Sequence, residues 1–484
     1  MTADYIAFHA EQRPDAPAFV SNGRPVSYDG FARDIRKYTR RLHDYAVPAG
    51  GTVGIGCANV YVHLLLLFAC ERLGLATVSL IANEAGHALP LLDAADLVLS
   101  DTPLPAGARP GRSEALNQAW IEGAQALPDA ETEALPFPSA ESPLRILRTS
   151  GTTGTPKRLH LTRRMFDFWA NRWIWCYGLG IGSRTLTVLP FSIGGAYAQI
   201  CATLRAGGTI VREGRMEVAE ALRQQAIGLV VMLPRDLREV LAKIPASVAR
   251  MPELVIATFG GAISESLRAE TVGRLCGAVS DMYGCNEVGF IGSSGLRRAG
   301  NGLDVWPGVA IEIVDEEGRV LPWDQPGRLR VRTESMFAGY IDDPEMTQRM
   351  LRDGWFYPGD MGALQGPRRL ELLGRADDLL NFDGRKVLPE ALEEFIRRAS
   401  GIEELAVSAV SGPDGATELC IALVGRGPLD PQTRSRLEGI VVGAGFRKFI
   451  LARLPRIPRN DAGKMQRHIL KAEIDAARRT RAPE

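Results

Sequence analysis

Short apolar runs alternate with amphipathic helical patterns along most of the chain up to Phe259, and this alternation limits the fold more than any other feature. Residues 28–46 carry a helix-period apolar stripe opened by Ser27. Residues 52–57 read as a buried strand, 60–73 as a helix, and 76–81 and 97–99 as strands. The pattern resumes after Arg145, with strands over 186–189, 209–211, 228–233 and 254–259 and a helix over 196–206. Such a chain builds βαβ units around a mainly parallel sheet. Residues 103–142, rich in Pro, Ala, Gly and acidic side chains, read as a loop-dominated connector. From 310 to 332 the texture changes to short strands with turns at Glu317-Gly318 and Pro326-Gly327, which predicts an antiparallel β region. The fold expected is α/β. A large N-terminal domain over 1–375 holds mainly parallel sheets flanked by helices plus the antiparallel region, and a small mobile α+β domain follows over 376–484.

Length and composition agree. A chain of 484 residues exceeds one typical domain, and 45% hydrophobic with 24% charged residues suits a globular protein with a sizeable core. Lys+Arg and Asp+Glu are both 57, so no global field argues for nucleic acid or an anionic membrane. The cysteines at 57, 70, 176, 201, 276, 285 and 420 are scattered without a Cys-x-x-Cys pair, which suits a reducing cytoplasm and gives no zinc signature. The start lacks a basic segment followed by an apolar one, so no signal peptide is indicated. The most apolar run, 64–70, is too short to span a bilayer and reads as a buried helix. A cytoplasmic protein is expected.

Residues 146–157 read Ile-Leu-Arg-Thr-Ser-Gly-Thr-Thr-Gly-Thr-Pro-Lys, packing five hydroxyl side chains and two glycines into 149–155. Glycine lets backbone approach a ligand closely, and successive N–H groups in a tight turn form an anion-binding nest. Hydroxyls add donors and Lys157 adds a cation. A polar surface turn would share this composition; a phosphate cradle would explain it. The register excludes a Walker A loop, because counting from Gly151 puts Pro156 where the second glycine belongs. Gly178-x-Gly180-x-Gly182 likewise fails as a dinucleotide fingerprint and reads as a loop.

The loop resembles the phosphate-binding motif of the adenylate-forming superfamily, which includes acyl-CoA synthetases, peptide-synthetase adenylation domains and firefly luciferase. The resemblance implies that Thr149, Ser150, Gly151, Thr152, Thr153, Gly154 and Lys157 hold the β- and γ-phosphates of ATP, with Thr152 among the catalytic groups. Further segments follow in the family's order. Gly260-Gly261-Ala262, after a strand, is similar to the glycine segment lining the adenine and acyl pockets. Met282-Tyr283-Gly284-Cys285-Asn286-Glu287, following an apparent strand over 278–280, resembles Tyr-Gly-x-Thr-Glu. It implies Tyr283 beside adenine, Gly284 close to it, and Glu287 on Mg²⁺; Asn286 stands where threonine is usual. Asp353-Gly354-Trp355-Phe356-Tyr357-Pro358-Gly359-Asp360 resembles Gly-Trp-Phe-x-Thr-Gly-Asp, with Asp360 the acceptor for ribose hydroxyls. The run from Gly374 to Glu390 resembles the hinge motif, implying Arg375 at ribose or phosphate, Asp377 as the hinge, and Gly384 where a pantetheine arm passes. Pro458-Arg459-Asn460-Asp461-Ala462-Gly463-Lys464 resembles the closing loop, in which Lys464 bridges the acid and the α-phosphate.

Departures bear on the substrate. Amino-acid-activating relatives place an aspartate near Gly194 in the segment Phe191-Ser192-Ile193-Gly194-Gly195; no carboxylate lies nearby. An α-ammonium group would go unpaired, and burying it so is costly. An acid without an α-amino group is expected, aryl or small to medium acyl, with Phe191, Ser192 and Gly194 in its pocket. Ser192 replaces the histidine common in acyl-CoA synthetases. His160 reads as a strand or surface residue. With no carrier domain after Lys464, the thiol is expected to be coenzyme A or the phosphopantetheine of a separate carrier protein. Two other classes remain open at this point: a luciferase-like oxidoreductase acting on its own adenylate, and a nucleotide-binding pseudoenzyme scaffold.

Overall fold

The computed structural model describes all residues except 22, 81–90, 132–138, 150–156, 213–217, 246–247, 296–301, 383–384, 412–416, 426, 460–464 and 481–484. The α/β expectation holds. One sheet runs Ser113–Ala115, Leu97–Ser100, Thr52–Gly56, Ala76–Ser79, Pro143–Thr149, Lys157–Thr162. Its neighbours are parallel except the last two, which form an antiparallel hairpin. The helix Val60–Arg72 crosses between two of these strands and buries every residue from Val62 to Glu71. Apart from His63 and Glu71 its buried residues are apolar on every side, because protein covers all of its faces.

The larger sheet changes character midway. Strands Thr209–Arg212, Arg184–Thr187, Leu229–Met232, Met251–Thr258 and Cys276–Cys285 lie side by side and parallel. Gly289–Ser294 then turns back antiparallel, and Leu303–Val305, Arg369–Arg375, Asp360–Leu364 and Gly327–Thr333 continue in that sense. Val309–Val314 pairs with Gly327–Thr333, where the short-strand texture predicted an antiparallel region. The switch from parallel to antiparallel falls at Tyr283–Glu287, and that is what gathers the site.

Three local expectations need correction. The Tyr283 motif does not follow a strand ending at residue 280; Met282 to Cys285 lie inside Cys276–Cys285, because that strand gains a second partner in Gly289–Ser294. The connector 103–142 contains the strand Ser113–Ala115 and the helix Gln118–Gln125, whose Trp120 buries against the ring of Tyr38. The first long helix stops at His43 instead of Ala46. Its start is as read, with Ser27 Oγ accepting from the Gly30 N–H at 3.2 Å.

Beyond Asp378, Leu405–Ser411, Thr417–Val424 and Phe449–Leu454 form a three-stranded sheet. With the helices Pro389–Ser400 and Pro431–Gly443 they enclose a separate core of Ile396, Leu405, Val407, Leu419, Ile421 and Leu437. Arg467 knits this segment together, reaching Glu390 at 2.8 Å, Glu393 at 2.9 Å and Asp378 at 3.2 Å. Arg238–Glu404 at 2.7 Å and Arg398–Glu265 at 3.0 Å link it to the rest of the chain.

Candidate active site

The hairpin Pro143–Thr149/Lys157–Thr162 closes on the pair Thr149↔Lys157. Ser150, Gly151, Thr152, Thr153 and Gly154 lie outside the described residues, as do Gly384 and Lys464. Lys157 therefore stands at the root of the hydroxyl-rich loop. Its Nζ sits 5.0 Å from the ring centroid of Tyr340, a cation–π distance. Burial lowers the proton affinity of this ammonium, with Glu287 and Asp343 opposing the effect. His160 lies in the strand opposite Ile146, half-buried, as the sequence suggested.

Three predicted residues converge across the sheet. Asp360 opens the strand Asp360–Leu364 directly opposite Arg375, the last residue of Arg369–Arg375. The Nη1 of Arg375 donates to Asp360 Oδ1 at 3.2 Å and to the Pro358 carbonyl at 2.6 Å. Tyr283 comes from the neighbouring limb and donates its hydroxyl to Asp360 Oδ2. Burial, reinforced by Asp360, pushes the Tyr283 phenol far above its usual range. Asp377 approaches Arg375 at 3.7 Å. The Nε of Arg375 is buried and lacks a partner among the described residues.

Glu287 follows immediately and is 6% exposed. Its Oε1 accepts from the Tyr340 hydroxyl at 2.8 Å, and its carbonyl accepts from the Phe337 N–H at 2.8 Å. Asn286 donates from Nδ2 to the Arg148 carbonyl at 3.1 Å. The residue in the usual threonine position thus ties this turn to the strand feeding the phosphate loop. Gly284 has no room for a side chain: a Cβ there would stand 2.5 Å from the Gly289 carbonyl and 2.8 Å from Phe290 Cα, both backbone. Gly284→Ala is expected to shift the turn carrying Glu287, cutting ATP-dependent activity at least tenfold and lowering Tm. Steady-state kinetics beside a thermal melt check this.

The segment predicted to face the acid, residues 191–195, follows the strand Arg184–Thr187 and runs into the first two residues of the helix Gly194–Arg205. A Cβ at Gly194 would meet Leu147 Cδ1 at 2.8 Å, Trp169 Cζ3 at 3.0 Å and Asn286 Oδ1 at 3.3 Å. A side chain there would have to displace the Leu147 methyl and press on the Trp169 ring, so the position is tight as well as lacking the aspartate. Ser192 is half-buried. Gly260 takes a positive φ of 88°, which its lack of a Cβ permits, and Gly261 and Ala262 follow it. Asp281 brackets this glycine turn, accepting from Thr258 Oγ1 at 2.9 Å and from the Ile263 N–H at 3.4 Å.

Phe191 is buried with its ring edge-on to His63 at 4.9 Å. The carbonyl of Cys57, 3.2 Å from His63 Nδ1, can only accept, so Nδ1 carries the proton. Nε2 then accepts from Ser79 Oγ at 2.9 Å, which accepts from Arg145 Nη2 at 2.7 Å; the same Nη2 reaches the Phe191 carbonyl at 2.9 Å. Burial and then Arg145 push His63 from 6.5 down to about 3. The unfolded chain takes up this proton near pH 6.5 and the folded chain does not, so His63 costs stability as pH falls through that window. The slope is about 1.4 kcal/mol per pH unit at most. Asp281, raised by burial from 3.8 to about 6, works in the opposite sense. The difference between wild type and His63→Gln therefore isolates the histidine. Urea midpoints from pH 7 to 4 should fall less steeply in the variant, and parallel curves would exclude His63 as the cause.

The family described as AMP-binding enzyme matches residues 6–341. The chain belongs to the AMP-binding enzyme family. Indoleacetate–CoA ligase from Aromatoleum aromaticum is 28% identical, covering 84% of this chain and 84% of its own. A fatty acid–[acyl-carrier-protein] ligase from Streptomyces coeruleorubidus is 27% identical over 98% of this chain and 96% of its own. Among solved structures, o-succinylbenzoate CoA synthetase from Bacillus subtilis, in complex with its acyl-adenylate intermediate, superposes with a TM-score of 0.82. It has 20% identity and covers 96% of this chain and 97% of that one, a likeness of fold.

In this AMP-binding enzyme the motifs were legible, whereas the residues that hold them were not. Tyr340, His63, Arg145 and Asp281 carry no spacing signature. Tyr340, His63 and Arg145 each touch a motif residue distant in sequence, such as Tyr340 on Glu287 across 53 positions, while Asp281 bonds Thr258 and Ile263 on either side of the glycine turn.

Proposed function

We propose that this chain is an AMP-forming acid–thiol ligase using ATP and either coenzyme A or a carrier-protein phosphopantetheine. The observation that carries the reading is the junction of Tyr283, Asp360 and Arg375 beside the Glu287–Tyr340–Lys157 group, at the point where the large sheet changes from parallel to antiparallel. An oxygen of the acid attacks the α-phosphorus, the bond to pyrophosphate breaks, and an acyl-adenylate forms. The sulfur of the thiol then attacks the acyl carbonyl, and AMP leaves.

Each residue has a part suited to its surroundings. Asp360 has lone pairs left after accepting from Tyr283 and Arg375, and these can take the ribose hydroxyls. The unpartnered Nε–H of Arg375 fits a site whose remaining partner is a polar ligand. Tyr283, with Gly260, Gly261, Ala262 and Gly284, would frame the adenine. Thr149 to Gly154, with Thr152 among them, and Lys157 would hold the phosphates. Among the described residues no cluster of three or more His, Cys, Asp or Glu could cage a metal. A lone carboxylate such as Glu287 is nevertheless what Mg²⁺ takes where phosphates and water complete its shell. Bound there, Mg²⁺ would neutralise phosphate charge.

The separate core beyond Asp378 supports a division into a core domain over 1–375 and a small domain over 376–484 that pivots at Asp377. Pivoting would exchange Lys464 for the Gly384 region at the site. Arg238–Glu404 and Arg398–Glu265 are half-exposed, and pairs of that kind are worth about 0.2–1 kcal/mol each, weak enough to break during such a motion.

The lack of a carboxylate in residues 191–195 favours an acid without an α-amino group, and an aryl or small to medium acyl group bounded by Phe191 and Ser192 is the class proposed. A pyrophosphate-release screen over aryl, short- and medium-chain, and α-amino acids tests this. Turnover is expected with an acid of the first two classes and none with amino acids. Repeating the hit with coenzyme A and with a phosphopantetheinylated carrier protein assigns the acceptor.

A further inference from the structure

Tyr340 touches both charged groups of the triphosphate end, and no sequence motif pointed to it. Resting on the reading of Glu287 and Lys157 given above, we propose that Tyr340 is a positioning residue that sets the Glu287 carboxylate for the metal–nucleotide complex and keeps it apart from Lys157. Its hydroxyl donates to Glu287 Oε1 at 2.8 Å, while its ring lies 5.0 Å from Lys157 Nζ. The cation and the carboxylate therefore occupy different parts of one side chain, its face and its tip. No Lys157–Glu287 ion pair forms among the described residues, although the two are close enough to interact electrostatically.

The tyrosine is itself held from several directions. It is 7% exposed, and its N–H donates to Thr347 Oγ1 at 2.9 Å. Its backbone bridges to Leu159 in the phosphate hairpin, and the next N–H, of Ile341, donates to the Arg158 carbonyl at 2.8 Å. The Phe337 ring packs on it edge-to-face at 4.9 Å. A donor fixed this way selects one arrangement of the Glu287 side chain and leaves lone pairs for a cation. Without the hydroxyl, Glu287 is free to swing toward Lys157. The resulting internal ion pair would spend both groups and compete with Mg·ATP.

Equilibrium binding of ATP to the full chain, titrated calorimetrically in excess Mg²⁺ and again in EDTA, tests the assignment. Wild type should bind ATP more tightly with Mg²⁺. In Tyr340→Phe, which keeps the ring beneath Lys157, that advantage should shrink about tenfold, the effect of losing one hydrogen bond to a charged group. Metal-free ATP affinity, lowered only through the competition of Glu287 for Lys157, should fall less than the affinity in Mg²⁺, and Tm should drop by no more than a few degrees. Tyr340→Leu, lacking the ring, should weaken metal-free binding as well. In turnover, Tyr340→Phe should raise KM for Mg·ATP while transfer from supplied acyl-adenylate to thiol proceeds at the wild-type rate. A Tyr340→Phe protein with an intact Mg²⁺ advantage overturns the assignment. So does one that loses both affinities by the same factor together with a large drop in Tm, since that marks a purely structural role. A wild-type protein with no Mg²⁺ advantage overturns both the assignment and the reading of Glu287 as the metal carboxylate.

Discussion

Replacing Lys464 with alanine is expected to slow acyl-adenylate formation by about 10²–10³-fold, the range seen when one preorganised charge donor to a transition state is lost. Transfer of a supplied acyl-adenylate to thiol should continue at near the wild-type rate. The asymmetry follows from the proposed pivot at Asp377, which removes Lys464 from the site before the thiol enters. In the proposed role the lysine would face negative charge that peaks as the acid oxygen approaches the α-phosphorus, so its loss should fall on kcat for adenylation more than on ATP binding. Rapid-quench measurement of each half-reaction separates the cases. Equal losses in both would mean that one fixed arrangement serves both steps.

The second large effect belongs to Asp360→Ala. Asp360 is the common acceptor for Tyr283 and Arg375, and these partners come from positions 77 and 15 residues away. Removing the carboxylate deprives the ribose of its proposed acceptor and leaves a mostly buried guanidinium with only the longer contact to Asp377. Breaking a fully buried pair costs about 3–5 kcal/mol. Arg375 and Asp360 keep 28% and 15% side-chain exposure, so a loss of about 2–3 kcal/mol is the better expectation. ATP affinity should fall at least a hundredfold. Asp360→Asn should recover more of the stability than of the affinity, since an amide can still accept from Tyr283 but carries no charge. Urea unfolding and ATP titration on both variants check this. Equal recovery of stability and affinity would contradict a direct role at the ribose.

Much of the fold could be read from the chain because its cues are local. Apolar strands separated by helical stripes gave the parallel sheets, and a capping Ser27 gave a helix start. The motif residues were visible through family resemblance, and the structure brings Tyr283, Asp360 and Arg375 into one hydrogen-bonded group and Glu287 close to Lys157. What escaped was decided at long range. Cys276–Cys285 extends through Tyr283 because Gly289–Ser294 folds back on it, an event invisible in the strand's own composition. The 113–125 elements hid in a Pro- and Ala-rich stretch because their stability comes from packing, as Trp120 shows against Tyr38. Tyr340 looked like any tyrosine before a turn until the fold placed it between Lys157 and Glu287.

The proposed ligase uses one site to activate an acid with ATP and then to pass it to a thiol. The most direct test is a single-turnover reaction of the full chain with ATP, Mg²⁺ and an acid identified by the screen, with thiol withheld and then added. An enzyme-bound acyl-adenylate should accumulate with one equivalent of pyrophosphate, both followed by mass spectrometry. On addition of thiol the adenylate should vanish as AMP and thioester appear in equal amounts. Pyrophosphate release without a trapped adenylate, or an adenylate that persists with both coenzyme A and the carrier protein, would contradict the account.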